Sequence, residues 1–414
     1  MVRLARIRLA GTIAATAMCA AAATEVAAQD RSQVLNEQLQ LGDVFGGQTL
    51  NVIDVSGQVT VTTDARGNQL VGASNGRSTD IDSSQDMRGD VSASTTLTLD
   101  GDTNGPVTSA TEARGNSLTG AIYYGQMTVD ATQALSGDVT ATTNLTGTDA
   151  RLVGGGQISA GAFGNTVALV GGGSGDRRAA LTGRIDQTVT GDVRASNLAS
   201  PRFVREPAQF VSQAVANTVQ GTTGPNASQE LDVRQRSSGA LVEARTGVWA
   251  GNGWNLAARA HAGGNQANFY NQGGSLVPTT DQANSAQIRS DSELSSYDFG
   301  KATSSATAVA NDVTIANNDI YVDIDNTQLN TGGVEATASF TGQKGYDAYV
   351  GAQAAGNAIT GYGAAPIVRN VQSNSGDVSA TATTTINGSG RHVIAGANAV
   401  GNAATFYVTG TGGN

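Results

Sequence analysis

Ala65-Arg66-Gly67-Asn68 returns 48 residues later as Ala113-Arg114-Gly115-Asn116, and the same Ala-x-(Gly or Ala)-Asn signature then marks Asn165, Asn217, Asn265, Asn311, Asn357 and Asn402. The steps between successive Asn residues are 48, 49, 52, 48, 46, 46 and 45. A second signature, Gly-Asp-Val-x-Ala, lies between them and places Asp90, Asp138, Asp192 and Asp377 at comparable points, with Gly332-Gly333-Val334-Glu335-Ala336 as a variant. Taking the Asn and Asp residues as equivalent corners gives a coil of about 24 residues inside a 48-residue double repeat.

A fixed period of this size belongs to stacked architectures, in which each unit buries its apolar face only against its neighbours. Windows such as Val59-Thr60-Val61-Thr62 alternate apolar and polar residues, the pattern of half-buried strands. The expected fold is therefore all-β, a parallel β-solenoid. Gly, Asn and Asp suit its corners because they tolerate left-handed backbone, and stacked Asn side chains can form amide ladders. Small residues five places before each Asn (Thr63, Thr111, Ala160, Ser212, Ala260, Ala306, Ala352, Ala397) predict a thin core. Leu70, Leu118, Val167, Val219, Ala267, Val313, Ile359 and Ala404, two places after it, are the expected inward residues of the next strand. Fifteen such coils would make a rod of roughly 70 Å. A string of small β-sandwiches is the competing architecture, but 48 residues is too short for one.

Composition agrees with a repetitive β-protein. The chain has 54 Gly, 6 Pro and only 5% aromatic residues, and a charged fraction of 14% argues against disorder. Arg3, Arg6 and Arg8, the apolar run Leu9 to Ala23 and Val26-Ala27-Ala28 read as a signal peptide, residues 1–28, cut before Gln29. Its removal takes out the single cysteine, Cys19, and moves the net charge from −10 to −12, so nucleic acid is not an expected partner. No later segment reads as a transmembrane helix. Residues 29–50, with Ser32 to Leu41 helical, are expected to cap a repeat domain over 51–414. Leu198 to Pro207 and Tyr270 to Asp281 break the period and carry prolines, so loops are expected there.

The sequence shows no catalytic signature. His261 and His392 occupy related places before Gly-Asn corners, and the acids recur with the repeat, which favours turn chemistry. No cofactor is called for. Asp100-Gly101-Asp102-Thr103-Asn104-Gly105 imitates a calcium loop but lacks an acid at its twelfth position, so a polar turn is expected. Gly171 to Asp176 is read as a flexible loop. Trp249 and Trp254, and one ring of Tyr123-Tyr124, are the candidates for stacking on sugars or filling a partner's pocket. The last coil, Thr405 to Asn414, would leave unpaired backbone open to strand addition.

Ser32-Gln33-Val34-Leu35-Asn36 behind the signal, the Ala-Arg-Gly-Asn blocks and the Ser-Gly-Asp-Val-x-Ala blocks at Ser136 to Ala141 and Ser375 to Ala380 resemble the holdfast anchor family HfaD of stalked alphaproteobacteria. That resemblance, over the whole chain, implies an exported, outer-membrane-associated cell-surface protein that fastens the adhesive holdfast polysaccharide to the envelope. It also implies other holdfast anchor proteins as partners and no catalytic residues; self-association is expected from the open last coil, not from the resemblance. A generic β-solenoid adhesin or surface-layer component ranks second, and a polysaccharide-cleaving β-helix enzyme third.

Overall fold

The structure is a computed structural model that describes residues 31–318, 321–364 and 367–409; the expected signal peptide lies outside them, as do residues 410–414 of the expected last coil. Every element described is a β-strand. The strands pair in parallel, each with its counterpart one turn of the chain earlier and later. In the signature column Asn68 faces Asn116, and the pairing continues through Asn165, Asn217, Asn265, Asn311 and Asn357 to Asn402.

One turn therefore consumes the full step of 45 to 52 residues, not 24. The Asn and Asp corners are not equivalent, because the Asp residues form a line of their own. The Asp138 backbone N–H donates to the Asp90 carboxylate at 2.8 Å, and Asp192 donates to Asp138 in the same way. The Asn column has eight members, not fifteen, and spans about 34 Å at the spacing of paired strands, half the expected length.

Each turn has three parts, seen in Val107–Tyr123, Gly125–Leu135 and Val139–Thr146. From Leu241 onward the third part fuses with the long strand that follows it, giving the 31-residue strands Leu241–Asn271, Gln287–Asn317 and Val334–Ala364. The long strand bends at the Gly-Asn step. Before the bend Thr111 and Ala113 point inward, after it Asn116 and Leu118, so the alternation slips by one residue. The bend divides the core in two. Val59, Val61 and Ala65 pack with Val91, Ala93 and Leu97 on one side, and Leu118 and Ile122 with Met127 and Val129 on the other.

The signature Asn residues sit at this bend for a reason other than left-handed backbone. Among the described residues other than glycine, positive φ occurs only at Tyr124 and Asn226. Asn116 to Asn357 are fully buried, and each side-chain amide donates to the Oδ1 of the next at 2.7–3.0 Å from Asn68 to Asn402. The second amide hydrogen goes to a backbone carbonyl, as from Asn116 to Ala134 at 2.7 Å. A glutamine column runs beside it in the opposite sense. Gln85, Gln133, Gln187, Gln235, Gln282, Gln328 and Gln372 each donate to the preceding glutamine at 2.7–2.9 Å, ending at Gln38. The Asp turns need glycine for close approach: a Cβ on Gly137 would lie 2.0 Å from the Gly89 carbonyl oxygen.

Two further expectations are corrected. The stretch Ser32 to Leu41 is not helical; it lies almost wholly in the strand Arg31–Gln40, paired with Ser78–Met87. Its leucines suggested a helix, but Leu35 and Leu39 point outward, and the inward residues include the polar Asn36 and Gln38, which hid the alternation. Tyr270 to Asp281 is not a bulging loop either, since Ser275–Asn284 is a strand between two neighbours. Pro278 is accommodated where the ladder to Tyr321–Asn330 skips from Leu276 to Thr279. Of Leu198 to Pro207, Leu198 and Ala199 end the strand Val193–Ala199, and the irregular stretch that follows is interrupted by Phe203–Val204, which pairs with Arg151–Leu152 and Asn252-Gly253.

Replacing Asn217 by Leu leaves the buried Asn265 Oδ1 without a donor and removes the acceptor that takes the Asn165 amide along the column. A loss of about 2–4 kcal/mol in denaturant unfolding is expected, against little change for an exposed substitution. Burial pushes the Asp312 carboxyl up from 3.8 to about 6. The folded state thus binds the proton more tightly than the unfolded one, and stability falls as pH rises through that window. Melting measured from pH 4 to 7 should lose this slope in Asp312→Asn.

Candidate functional site

The segments at residues 203–205, 252–254, 298–300 and 344–346 stack on one flank, because Phe203 pairs with Asn252, Asn252 with Asp298 and Asp298 with Lys344. Between them lies a cleft of about 480 Å³ lined by Phe203, Arg205, Trp254, Asp298, Lys344 and Tyr346 among others. A second depression of about 560 Å³ shares Phe203 and Asn252 and adds Arg151, Arg202 and Tyr297.

Exposed aromatic rings dominate this flank. Trp254 is 57% exposed, Tyr346 47% and Tyr297 63%, whereas the rings of Phe210, Phe269 and Phe340 are buried in the core. Trp254 and Tyr346 stand two turns apart, yet their rings meet edge to face at 5.8 Å. They do so because the intervening position is Gly300, where a Cβ would lie 2.3 Å from the Trp254 carbonyl oxygen and 3.0 Å from its ring. The polar groups are held by ion pairs: Arg202 with Asp149 at 2.9 Å, Arg151 with Asp102 at 3.0 Å, and Arg391 with Asp347 at 2.6 Å. Arg391 also lies over the Tyr346 ring, 5.3 Å from its centre. Hydrogen bonds from Arg391 and then His392 hold the Asp347 carboxyl down to about 2, so it is an ionised partner of Arg391 at neutral pH.

Flat exposed rings flanked by fixed donors and acceptors suit a ligand with alternating apolar faces and hydroxyl edges. Among the described residues no cluster of three His, Cys, Asp or Glu side chains is placed to hold a metal ion.

The other sequence candidates lie elsewhere. Asn68, Asn116, Asn165, Asn217, Asn265, Asn311, Asn357 and Asn402 form the internal ladder, whereas Asp90, Asp138, Asp192 and Asp377 occupy surface turns. The carboxylates of the calcium-like loop do not converge: Asp100 accepts from the Thr148 backbone at 2.9 Å and Asp102 pairs with Arg151. Tyr124 adopts positive φ, so the rings of Tyr123 and Tyr124 tilt against each other at 4.1 Å instead of pointing to opposite faces. His261 is packed against Gln266, and burial lowers its pKa. Trp249 is half-exposed and donates to Glu293 at 3.2 Å. Of the aromatic candidates only Trp254 lines the cleft. Tyr346 and Tyr297 were missed, although Trp254, Gly300 and Tyr346 follow one another at steps of 46.

Fold and flank together define an all-β protein of parallel coils that displays an aromatic, charged cleft along successive turns. The profile of the holdfast attachment protein D family matches residues 53–333, two thirds of the chain, and the chain belongs to that family, HfaD. No curated protein and no solved structure matches it.

Gly300→Ala should push the Trp254 ring away from Tyr346. A change in tryptophan fluorescence with an unaltered β circular dichroism spectrum is the expected result.

Proposed function

We propose that this chain is a non-catalytic cell-surface anchor: exported, associated with the outer membrane, and fastening the adhesive holdfast polysaccharide to the envelope together with other holdfast anchor proteins. Membership of the holdfast attachment family supports the role. The observation that carries the contact is the Trp254–Tyr346 pair over Gly300, which offers exposed rings to sugar faces beside the charged groups Arg205, Asp298 and Lys344. The long parallel ladders support it mechanically, since a β-solenoid under load shares force among many backbone hydrogen bonds.

A strain carrying Trp254→Ala with Tyr346→Ala should still make holdfast and still display the protein, but shed holdfast into the medium. Binding of purified protein to holdfast polysaccharide should weaken by about 2 kcal/mol or more. Retention of holdfast with unchanged binding would move the contact away from the cleft. A generic adhesin would lose adhesion without shedding, and a cleaving enzyme would release reducing ends or unsaturated sugars.

A further inference from the structure

The two ends of the stack are complementary to each other. Among the described residues, the strands Arg31–Gln40, Val44–Val52 and Val59–Asn75 have neighbours on one side only, as do Ile367–Asn374, Val378–Ser389 and His392–Thr409 at the other end. Each end also leaves side-chain valences open. Asn402 accepts from Asn357, but its own amide has no acceptor, while Asn68 donates to Asn116 and its Oδ1 receives nothing. The glutamine column runs the other way: Gln372 Oε1 is an open acceptor, and Gln38, which donates to the Gln69 carbonyl, has a second amide hydrogen free. Asn370 has an open amide and Asn36 an open Oδ1. Asp43 accepts from the Asp90 backbone, while its own N–H lacks the carboxylate that Asp90, Asp138 and Asp192 each receive from the turn before; the Asp377 carboxylate is free.

In each of these four columns the residue at one end is matched by the same residue type at the other, with the opposite valence open. The numerical offset is also common. Asn68 and Asn402, Gln38 and Gln372, Asn36 and Asn370, and Asp43 and Asp377 all differ by 334. The strand boundaries follow suit, since adding 334 to 44–52 and 59–75 gives 378–386 and 393–409, within the last two strands. One rigid register therefore satisfies all four columns together, and the apolar inward pairs Val34 with Val368 and Val44 with Val378 fall into place with them.

We infer that the occupant of each end is a second copy of this chain, stacked head to tail so that residue n of one copy pairs with residue n + 334 of the next. The chain order fits, because the last long strand, His392–Thr409, is followed in the period by a strand of the Arg31–Gln40 type. Such a contact extends the ladders without a seam and is open-ended, so it builds a filament and not a closed ring. The inference does not depend on what the aromatic cleft binds.

The test uses the chain from Gln29 onward, which carries no cysteine. Glu37→Cys with Val371→Cys places two outward side chains at the offset of 334, about 4.8 Å apart between copies and within disulfide reach. Within one copy they lie seven turns apart, so only an intermolecular bond can form. Mild oxidation should give a ladder of dimers and longer chains on non-reducing gels. Glu37→Cys with Arg369→Cys, two residues out of register, should give at least about tenfold less. Sedimentation of the unsubstituted chain over a concentration series should show growing assemblies, reduced by Gln372→Lys. A monomer at all concentrations, or equal cross-linking of both cysteine pairs, would overturn the proposal; neither result would bear on holdfast retention by the cleft.

Discussion

The constraint on which the rest of the structure depends is a buried column of asparagine amides. An uncompensated amide in an apolar interior is costly, and each of these is compensated only by the equivalent residue one turn away and by a carbonyl at the bend. Register is fixed as a result. A slip of one residue would break the whole column and turn the inward Leu and Val residues outward. With few aromatic residues and a core of Ala, Val and Thr, apolar burial alone would specify this register weakly. Hydroxyl pairs such as Thr63 with Thr95 and Thr95 with Thr111 reinforce it in the thin half of the core.

The same columns explain the surface. Because successive turns stay in register, side chains spaced by about 46 residues line up along one flank, and a substitution in one turn acts on the turns above and below. The cleft is built this way. Gly300 leaves a gap in its own turn that lets Trp254 and Tyr346 meet across it, while Asp298 and Lys344 stand as neighbours. A site assembled along the stack suits an extended ligand better than a small one, in keeping with an attachment role.

Much of this was legible in the sequence. The Asn steps of 45 to 52 are the true turn length, and the residues two places after each Asn lie in the second half of the core, from Leu118 to Ile359. The coil of 24 was misread because Asn and Asp share turn chemistry, so a buried ladder residue and an exposed turn residue were counted as one corner. Ser32 to Leu41 was misread because its inward face is polar, with Asn36 and Gln38 continuing the ladders while leucines face outward. The cleft was only half visible: Trp254 stood out by its rarity, but Tyr346 joins it through a glycine whose meaning appears only once the turn length is known.

The turn length is best tested by pulsed electron spin resonance between spin labels on Asp64→Cys and Asn398→Cys, exposed positions seven turns apart in the same column, in samples diluted with excess unlabelled chain so that only distances within one copy are read. A narrow distance distribution near about 34 Å, before allowance for the label linkers, is the result expected of a 48-residue turn. A distance near about 67 Å, as fourteen shorter coils would give, or a broad distribution without a preferred value, would contradict the in-register amide ladder.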